Sequence, residues 1–385
     1  MSILRRQFIV SSACASIVAA NREGVVALEP VRDASEKAEP FSFALLGDLH
    51  YDKLEHHDYG WLEKNHVGDL TQIKNYSRIT SEIMPSLFDS VRKSVADSRS
   101  DFVLQVGDFV QGLCGNEKLA IVQNNEALAF IESKSLGVPF LFTKGNHDVT
   151  GDGATDAFME VFLPYLSKQS TSFQGGGEQL KRASYAVQHR DALFCFYDAY
   201  DRESLEWLEA TLAKRTSRHC FVVIHPPVVP YGARATWHIY ANERDKATRE
   251  KLLDLLGSQN AFVLGGHIHR FNTICRETTN GGRFVQFAIS SVVNSASIKP
   301  ATELEGLNEY NGDQIRVEPN FSPDTTDARR KVYEAEAPYV KAFAYADLPG
   351  HAVVQVDDAS VVVTMYAGIS RNVYRTIDLT KLLSS

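Results

Sequence analysis

The chain has 385 residues, of which 44% are hydrophobic and 23% charged, and its formal net charge is −8. This composition is that of a globular protein with a large buried core, and the acidic balance argues against nucleic acid as a partner. No run reaches the roughly 18 continuous apolar residues that a membrane-spanning helix needs, although a shorter apolar stretch stands near the N-terminus.

The first 20 residues have the features of an export signal. Arg5 and Arg6 precede a moderately apolar stretch over residues 8–20, and polar sequence follows it. An arginine pair followed by QFIV resembles a twin-arginine signal, which directs folded proteins across a membrane. We therefore predict a signal peptide over residues 1–20, a linker over 21–40, and a periplasmic or extracellular protein that meets the twin-arginine translocase during export. A Sec signal or a frayed helix is the alternative.

Five short apolar runs predict buried strands. They are FSFALL (41–46), FVLQV (102–106), PFLFT (139–143), CFVVI (220–224) and AFVLG (261–265). None alternates clearly with polar residues, which is typical of strands buried on both faces. Helical patterns lie between them, at 86–98, 117–137, 154–166, 202–214 and 243–257. Strands alternating with helices indicate an α/β sheet.

Beyond residue 283 the pattern changes. The runs RFVQFAIS, HAVVQV and SVVVTMYA predict strands of a second, more antiparallel sheet. The segment from about 300 to 335 is acidic and poor in apolar pattern, so we predict a long loop or insertion there. We assign residues 41–385 to one domain.

Residues able to bind a metal follow each of the five predicted strands. They are Asp48 and His50 in GDLH, Asp108 in GDF, Asn146, His147 and Asp148 in KGNHD, His225 in HPP, and His267 and His269 in GGHIH. Residues i and i+2 of an extended chain project to the same side, so both histidines of GGHIH could reach one point. Ligands of open α/β sheets gather beyond the carboxyl ends of the strands. Singly, each motif has a simpler interpretation as a core histidine or a turn aspartate.

Taken in order, the five segments resemble the calcineurin-like metallophosphoesterase superfamily, whose motifs are DxH, GD, GNH(D/E), a single His and GHxH. The resemblance runs in detail from about residue 41 to 290, and every ligand position matches. It implies two facing mixed β-sheets flanked by helices, a four-layer α/β fold. It also implies two metal ions at the carboxyl ends of the strands.

The resemblance further implies which residues bind each ion. One ion would be bound by Asp48, His50 and His269. The other would be bound by Asn146, His225 and His267. Asp108 would bridge the two. Imidazoles and carboxylates suit Fe, Mn or Zn, and the sequence leaves the metal open.

The implied reaction is hydrolysis of a phosphate ester. A hydroxide that bridges both ions would attack phosphorus. His147 would protonate or stabilise the leaving oxygen, and Asp148 would orient the His147 ring. A purely structural hydrogen bond is the alternative for His147.

We therefore expect an exported phosphoric ester hydrolase, preferably a phosphodiesterase of the cyclic-nucleotide or phospholipid-headgroup kind. A phosphomonoesterase of the same superfamily, or a non-catalytic metal-dependent binding protein on the same scaffold, are the alternatives. His147 favours an enzyme, because a pure binding protein need not keep it. Gln111 stands where purple acid phosphatases have a tyrosine ligand, which argues against that branch.

Five other polar residues near the motifs each have two interpretations. Lys144 and Arg270 flank the motif loops and could contact the substrate phosphate or be solvated. His56, His57 and His66 could line the entrance to the site, although a polar connection between elements is the simpler interpretation.

Overall fold

The computed structural model of the protein describes residues 39–174, 179–232, 237–296, 298–311 and 326–384. The predicted signal peptide and all but the last two residues of the predicted linker lie outside these ranges. None of the helices within them combines the length and the apolar character that a membrane crossing requires.

The described part of the chain contains fourteen strands. They are β1 (Phe41–Leu46), β2 (Phe102–Gln105), β3 (Phe140–Phe142), β4 (Tyr185–His189), β5 (Ala192–Tyr197), β6 (His219–Ile224), β7 (Phe262–Gly265), β8 (Phe271–Glu277), β9 (Arg283–Ala288), β10 (Glu303–Glu305), β11 (Val340–Ala346), β12 (Gly350–Val356), β13 (Val361–Ala367) and β14 (Val373–Asp378).

Helices connect many of these strands. They are α1 (Tyr59–Asn65), α2 (Leu70–Glu82), α3 (Met84–Ser98), α4 (Glu117–Ser133), α5 (Ala154–Ala157), α6 (Leu163–Gln174), α7 (Ser204–Leu212), α8 (Lys246–Ser258), α9 (Thr326–Glu336) and α10 (Leu379–Ser384). A π-helical segment, Phe158–Phe162, joins α5 to α6.

The strands form two mixed sheets. One has the order β14-β13-β12-β1-β2-β3, and the other has the order β10-β11-β8-β9-β7-β6-β5-β4. In the first sheet β1, β2 and β3 are parallel, and in the second β5, β6, β7 and β9 are parallel. The predicted α/β fold of two mixed sheets flanked by helices is confirmed.

Aromatic side chains fill the space between the two sheets. The Phe43 ring on β1 lies edge-on to the rings of Phe194 on β5 and Phe221 on β6, with centroids 5.4 and 5.6 Å apart. All three side chains are fully or almost fully buried. Each buries on the order of 150–250 Å² of surface, so this layer supplies much of the free energy that holds the sheets together.

The strands after residue 283 were predicted to form a second, more antiparallel sheet; the pairing of β12 and β13 is antiparallel, but their assignment to a second sheet is wrong. β12 pairs antiparallel with β1, and β13 pairs with β12, so both extend the first sheet. β9 lies in the second sheet, where it runs parallel to β7 and antiparallel to β8. Apolar patterning reports that a strand is buried but not which strand lies beside it, because the pairing partner is set by tertiary contacts.

The predicted loop or insertion at residues 300–335 also needs correction in its described parts. β10 pairs with β11, and α9 begins at Thr326. α9 buries Arg329, Tyr333 and Glu336, which lie on one helical face. Only one of these three residues is apolar in character, so a search for hydrophobic periodicity misses the helix.

A buried ion network fixes α9 to the second sheet. Arg249 on α8 donates from Nη2 to Glu336 Oε1 at 2.5 Å, and Arg276 on β8 donates from Nε to Oε2 at 2.8 Å. Burial would raise the pKa of Glu336, but the two guanidinium groups outweigh it and hold the pKa below the ordinary value. Glu336 is therefore a carboxylate at neutral pH.

We predict that Glu336→Ala lowers the free energy of unfolding by about 3–5 kcal/mol, because it leaves two buried guanidinium groups without their anion. The matched control is Glu209→Ala, which removes an exposed ion pair with Lys251 and should cost less than about 1 kcal/mol. Urea unfolding of both variants measures the difference.

The contribution of Glu336 to the free energy of unfolding should depend on pH. Because the pKa of Glu336 is depressed in the folded protein, its contribution is present above the ordinary value of 4.5 and is lost as the pH falls through the folded value. Equal losses for Glu336→Ala and Glu209→Ala at pH 7 would contradict this assignment.

Candidate metal centre

Five loops meet at one edge of the two sheets. They follow β1, β2, β3, β6 and β7. Backbone hydrogen bonds join them: His50 N donates to Asp108 O at 3.0 Å, and Gly266 N donates to His225 O at 3.0 Å. Side chains from both sheets therefore face the same small volume.

Two groups of potential ligands occupy this edge. One contains Asp48, His50, Asp108 and His269, and the other contains Asp108, His225 and His267. Within each group the ligand atoms lie within 4.8 Å of one another. Asp108 belongs to both, as expected for a bridging carboxylate.

In the first group, His50 Nε2 lies 2.9 Å from His269 Nε2 and 3.7 Å from Asp108 Oδ2. His269 Nε2 lies 3.1 Å from Asp48 Oδ2. Asp48 also accepts hydrogen bonds from the backbone of His267, at 2.8 Å to Oδ2. Its carboxylate is thereby fixed beside the imidazoles.

In the second group, His225 Nε2 is the central atom. It lies 3.0 Å from Asp108 Oδ2, 3.2 Å from Asn146 Oδ1 and 3.3 Å from His267 Nδ1. The structure thus brings together all seven residues that the sequence proposes as ligands. That they bind metal remains a prediction.

The donor set suits divalent or trivalent cations. His50 donates from Nδ1 to Gln111 Oε1 at 2.8 Å, and His225 donates from Nδ1 to Val106 O at 2.9 Å. A neutral imidazole held in this way turns the lone pair of Nε2 toward the site. Buried nitrogen and carboxylate donors of this kind match Fe, Mn or Zn.

The lowered pKa values of His50 and His267 favour neutral imidazoles that can bind a cation, whereas the pKa of His225 is raised. Burial, with the nearby His147, holds the pKa of His50 well below its ordinary value. Burial and then His225 lower the pKa of His267 to about 3. Burial also opposes the charged form of His225, but the Asp108 carboxylate outweighs it and raises the pKa to about 9. A cation would compete with that proton for the same pair of atoms.

Four of the proposed ligands have a left-handed backbone. The φ angles of His50, Asp108, His267 and His269 are 48°, 54°, 73° and 57°. Such angles are uncommon for residues other than glycine and cost on the order of 1–3 kcal/mol each. These backbone angles turn the chain sharply after β1, β2 and β7.

This backbone corrects the expected geometry of GGHIH. We expected His267 and His269 to project to the same side of an extended strand. Instead β7 ends at Gly265, and Ile268 N donates to Gly266 O at 2.9 Å in a tight bend. The two rings therefore enter different ligand groups, His267 beside His225 and His269 beside His50.

The motif glycines are required by close approach. A Cβ atom at Gly266 would lie 2.2 Å from Asp48 Oδ1. At Gly107, where φ is +97°, it would lie 2.7 Å from His225 Nδ1. Both contacts are closer than real Cβ atoms allow, so any side chain there would displace a proposed ligand.

His147 is held at the rim of the first group. Its backbone N–H donates to Asp108 Oδ1 at 2.8 Å, and its ring Nδ1 donates to the carbonyl oxygen of Gln111 at 2.8 Å. The ring centroid lies 4.6 Å from that of His50. A ring anchored through Nδ1 can exchange a proton with a substrate only through Nε2.

Asp148 does not orient the His147 ring, contrary to the prediction. Its Oδ1 accepts from Val110 N at 3.0 Å, and its Oδ2 accepts from Gly145 N at 2.8 Å and Asp108 N at 3.1 Å. Burial and the nearby Asp108 carboxylate raise the pKa of Asp148 to about 7. Asp148 therefore ties the GD and GNHD loops together through their backbones.

Two residues beside the site were not predicted to support it. Gln111 accepts from the ring of His50, and Tyr76 on α2 stacks on the same ring with centroids 4.3 Å apart and planes 5° apart. The spacing of Ile73, Tyr76 and Ile79 predicts a buried helix face. No feature of the sequence places that face against His50.

The remaining candidates near the motifs have structural partners. Lys144 forms an ion pair with the buried Asp198, and Arg270 Nη1 donates to the His269 carbonyl at 2.9 Å. His57 lies between Asp52 Oδ1 and Leu113 O, at 2.8 and 3.0 Å. His56 contacts Glu126, and His66 contacts Asp69. These three histidines support the connections around α1.

Known proteins resemble the chain in sequence pattern and in fold. The family model described as calcineurin-like phosphoesterase matches residues 41–271. No curated protein matches the chain. Among solved structures, a purple acid phosphatase of yellow lupin has a TM-score of 0.53 and 13% identity over 90% of this chain.

This chain covers 55% of the length of that phosphatase. A dimetal phosphatase from Danio rerio has a TM-score of 0.49 and 13% identity, over 88% of this chain and 98% of its own. PhoD has a TM-score of 0.47 and 13% identity, over 88% of this chain and 68% of its own. At this level of identity, the likeness to the yellow lupin structure shows the fold alone.

We predict that Asp148→Asn lowers the free energy of unfolding by about 1–3 kcal/mol, because an amide NH₂ would replace one oxygen that accepts backbone N–H groups. Urea unfolding measures the loss. The dependence of the rate on the leaving group should stay that of the parent protein. A stable variant whose loss of rate is smaller for esters with acidic leaving groups would instead mean that Asp148 acts on the His147 ring.

Proposed function

This chain belongs to the calcineurin-like phosphoesterase family, and from that premise we propose that it is an exported phosphodiesterase with the metal ligands described above. Metal-dependent hydrolysis of a phosphoester follows from the family. The observation that carries the site assignment is the shared carboxylate: Asp108 belongs to both ligand groups. The diester preference, the ligand roles and export are the further parts of the proposal.

The ion pair between Lys144 and Asp198 favours a phosphodiester as the substrate. A phosphomonoester carries up to two negative charges at neutral pH, whereas a diester carries one. Lys144 follows β3 beside the site, but its ammonium group is buried against the Asp198 carboxylate and its charge is compensated. Less positive charge is thus available to bind the dianion of a phosphomonoester.

The proposed site would hold two metal ions, one bound by Asp48, His50, Asp108 and His269 and the other by Asp108, Asn146, His225 and His267. Two ions at such a site lower the pKa of a bound water and stabilise the charge on the phosphoryl oxygens. The chain contributes fixed positions for these ligands, since the Nδ1 atoms of His50 and His225 are both engaged by oxygen acceptors.

His147 supplies the proton for the leaving group. When its ring is protonated, Nδ1–H stays bonded to the Gln111 carbonyl and Nε2–H can donate to the departing ester oxygen. As the oxygen of a water bonds to phosphorus, the bond from phosphorus to the ester oxygen breaks, and the proton from His147 converts the departing alkoxide to an alcohol. The neutral ring that remains keeps the same Nδ1 hydrogen bond.

The substrate class is tested with bis-p-nitrophenyl phosphate and p-nitrophenyl phosphate on the metal-loaded protein. We expect kcat/KM to be at least about tenfold higher for the diester, a difference of about 1.4 kcal/mol in transition-state binding. Asp198→Asn, which releases the charge of Lys144, should shift the ratio toward the monoester. Higher kcat/KM for the monoester in the parent protein would identify a phosphomonoesterase.

We predict that Asp108→Ala lowers the metal content of both sites, because it removes the one ligand that they share. His50→Ala should lower the content of one site only. Elemental analysis of the purified variants gives the metal-to-protein ratio. Two ions per chain together with unchanged activity in Asp108→Ala would rule out the bridging role.

We also predict that His147→Ala keeps both ions but lowers kcat by about 10²- to 10⁴-fold, the usual contribution of a positioned general acid. The loss should shrink for esters with acidic leaving groups, because these depart without a proton. His66→Ala, which removes a half-buried histidine beside Trp61, is the matched control. A uniform loss across leaving groups would assign His147 to the phosphoryl oxygens instead.

Export is supported by Arg5 and Arg6 and the apolar stretch that follows them. We predict that replacing both arginines by lysine leaves unprocessed precursor in the cytoplasm. Cell fractionation and the mass of the mature chain check this. Unchanged export of the variant would point to a Sec signal.

A further inference from the structure

We propose that Gln111 is a positioning residue that sets the tautomers of two histidines at once, one through its side chain and the other through its backbone. The inference rests on the proposed function, in which His50 binds a metal ion and His147 transfers a proton. Gln111 itself contacts neither a substrate nor an ion in this scheme. It acts through the two rings.

The contacts of Gln111 are short and buried. Its side chain is fully buried, and Oε1 lies 2.8 Å from His50 Nδ1. Its carbonyl oxygen lies 2.8 Å from His147 Nδ1. Oxygen atoms of amides only accept hydrogen bonds, so both Nδ1 atoms must carry the proton. Both Nε2 atoms are then left for the reaction site.

A second set of hydrogen bonds fixes Gln111 itself. Its backbone N–H donates to Tyr51 O at 3.2 Å. The next residue, Gly112, donates from N to Gln123 Oε1 at 3.0 Å, and Gln123 Nε2 donates to Asp52 Oδ1 at 2.9 Å. The loop after β2 is thereby tied to the loop that carries His50. Gln111 cannot move away from either ring without breaking this network.

The side-chain amide also carries a polar atom with no hydrogen bond. Gln111 Nε2 is buried and has no partner among the described residues. Rotating the amide by 180° would place this NH₂ group against His50 Nδ1 and force the ring proton onto Nε2. His50 Nε2 would then face His269 Nε2 as a donor and could not bind a cation. The proposal therefore commits to one amide orientation.

Because Gln111 Nε2 has no hydrogen-bond partner among the described residues, three substitutions of Gln111 test the role of Oε1. Gln111→Glu keeps an oxygen acceptor for His50 and replaces only the NH₂ group that lacks a partner. Gln111→Leu removes the acceptor at similar size. Gln111→Asn keeps the polarity but is shorter by one methylene and cannot reach the ring. The backbone carbonyl that holds His147 is present in all three.

The tautomers are measured by ¹⁵N NMR of the full chain with labelled histidine, free of metal. In the parent protein and in Gln111→Glu, we expect His50 to be protonated at Nδ1. In Gln111→Leu and Gln111→Asn, this preference should be lost. His147 should stay protonated at Nδ1 throughout, which serves as the internal control. A His50 ring protonated at Nε2 in the parent protein would overturn the proposal.

Calorimetric titration with Zn²⁺ gives the second measurement. We expect Gln111→Leu and Gln111→Asn to weaken one of two sites by about 10- to 100-fold, as loss of an orienting partner does for histidine ligands, and Gln111→Glu to restore it. Parent-like affinity at both sites in Gln111→Leu and Gln111→Asn would refute the positioning role.

These results are independent of the substrate. If the protein hydrolyses none of the esters, the proposed diesterase function fails, while the tautomer and Zn²⁺ measurements still decide the role of Gln111. Should Gln111→Leu fail to fold, Gln111→Asn gives the same comparison against Gln111→Glu.

Discussion

The site depends on one buried carboxylate. Asp108 is almost fully buried, and its Oδ2 lies 3.0 Å from His225 and 3.7 Å from His50, while Oδ1 accepts from the backbone of His147. A carboxylate in such surroundings is tolerated only when positive charge or N–H donors compensate it. The loops after β3 and β6 both supply such partners, so the need to satisfy Asp108 organises residues from both sheets.

This organisation is maintained against local strain. Four proposed ligands adopt left-handed backbone angles, and two motif glycines leave space that a Cβ atom would fill. Such costs persist only where the surroundings determine the conformation. Here the aromatic layer between the sheets and the hydrogen bonds of Asp148 fix the strand ends. The strained loops can therefore hold side chains in positions that an isolated segment would not adopt.

The sequence allowed us to predict the proposed ligands because each stands directly after a strand, within a short motif. It did not show that β12 lies beside β1, because the apolar pattern of a buried strand does not identify the strand that pairs with it. It also misassigned Asp148, whose partners are backbone N–H groups that are invisible in side-chain patterns. The apolar pattern of the sequence did not predict α9, because ion pairs rather than aliphatic side chains fix this helix to the second sheet.

The ligand groups have a consequence for the mechanics of the fold. Each group draws on both sheets: His269 joins residues that follow β1 and β2, and Asn146 joins residues that follow β6 and β7. A cation bound in either group would therefore act as a cross-link between the two layers. Because it would bind only the folded arrangement, its affinity would add directly to the work needed to separate the sheets. The proposed reaction site would then also hold the two sheets together at the edge where the five loops meet.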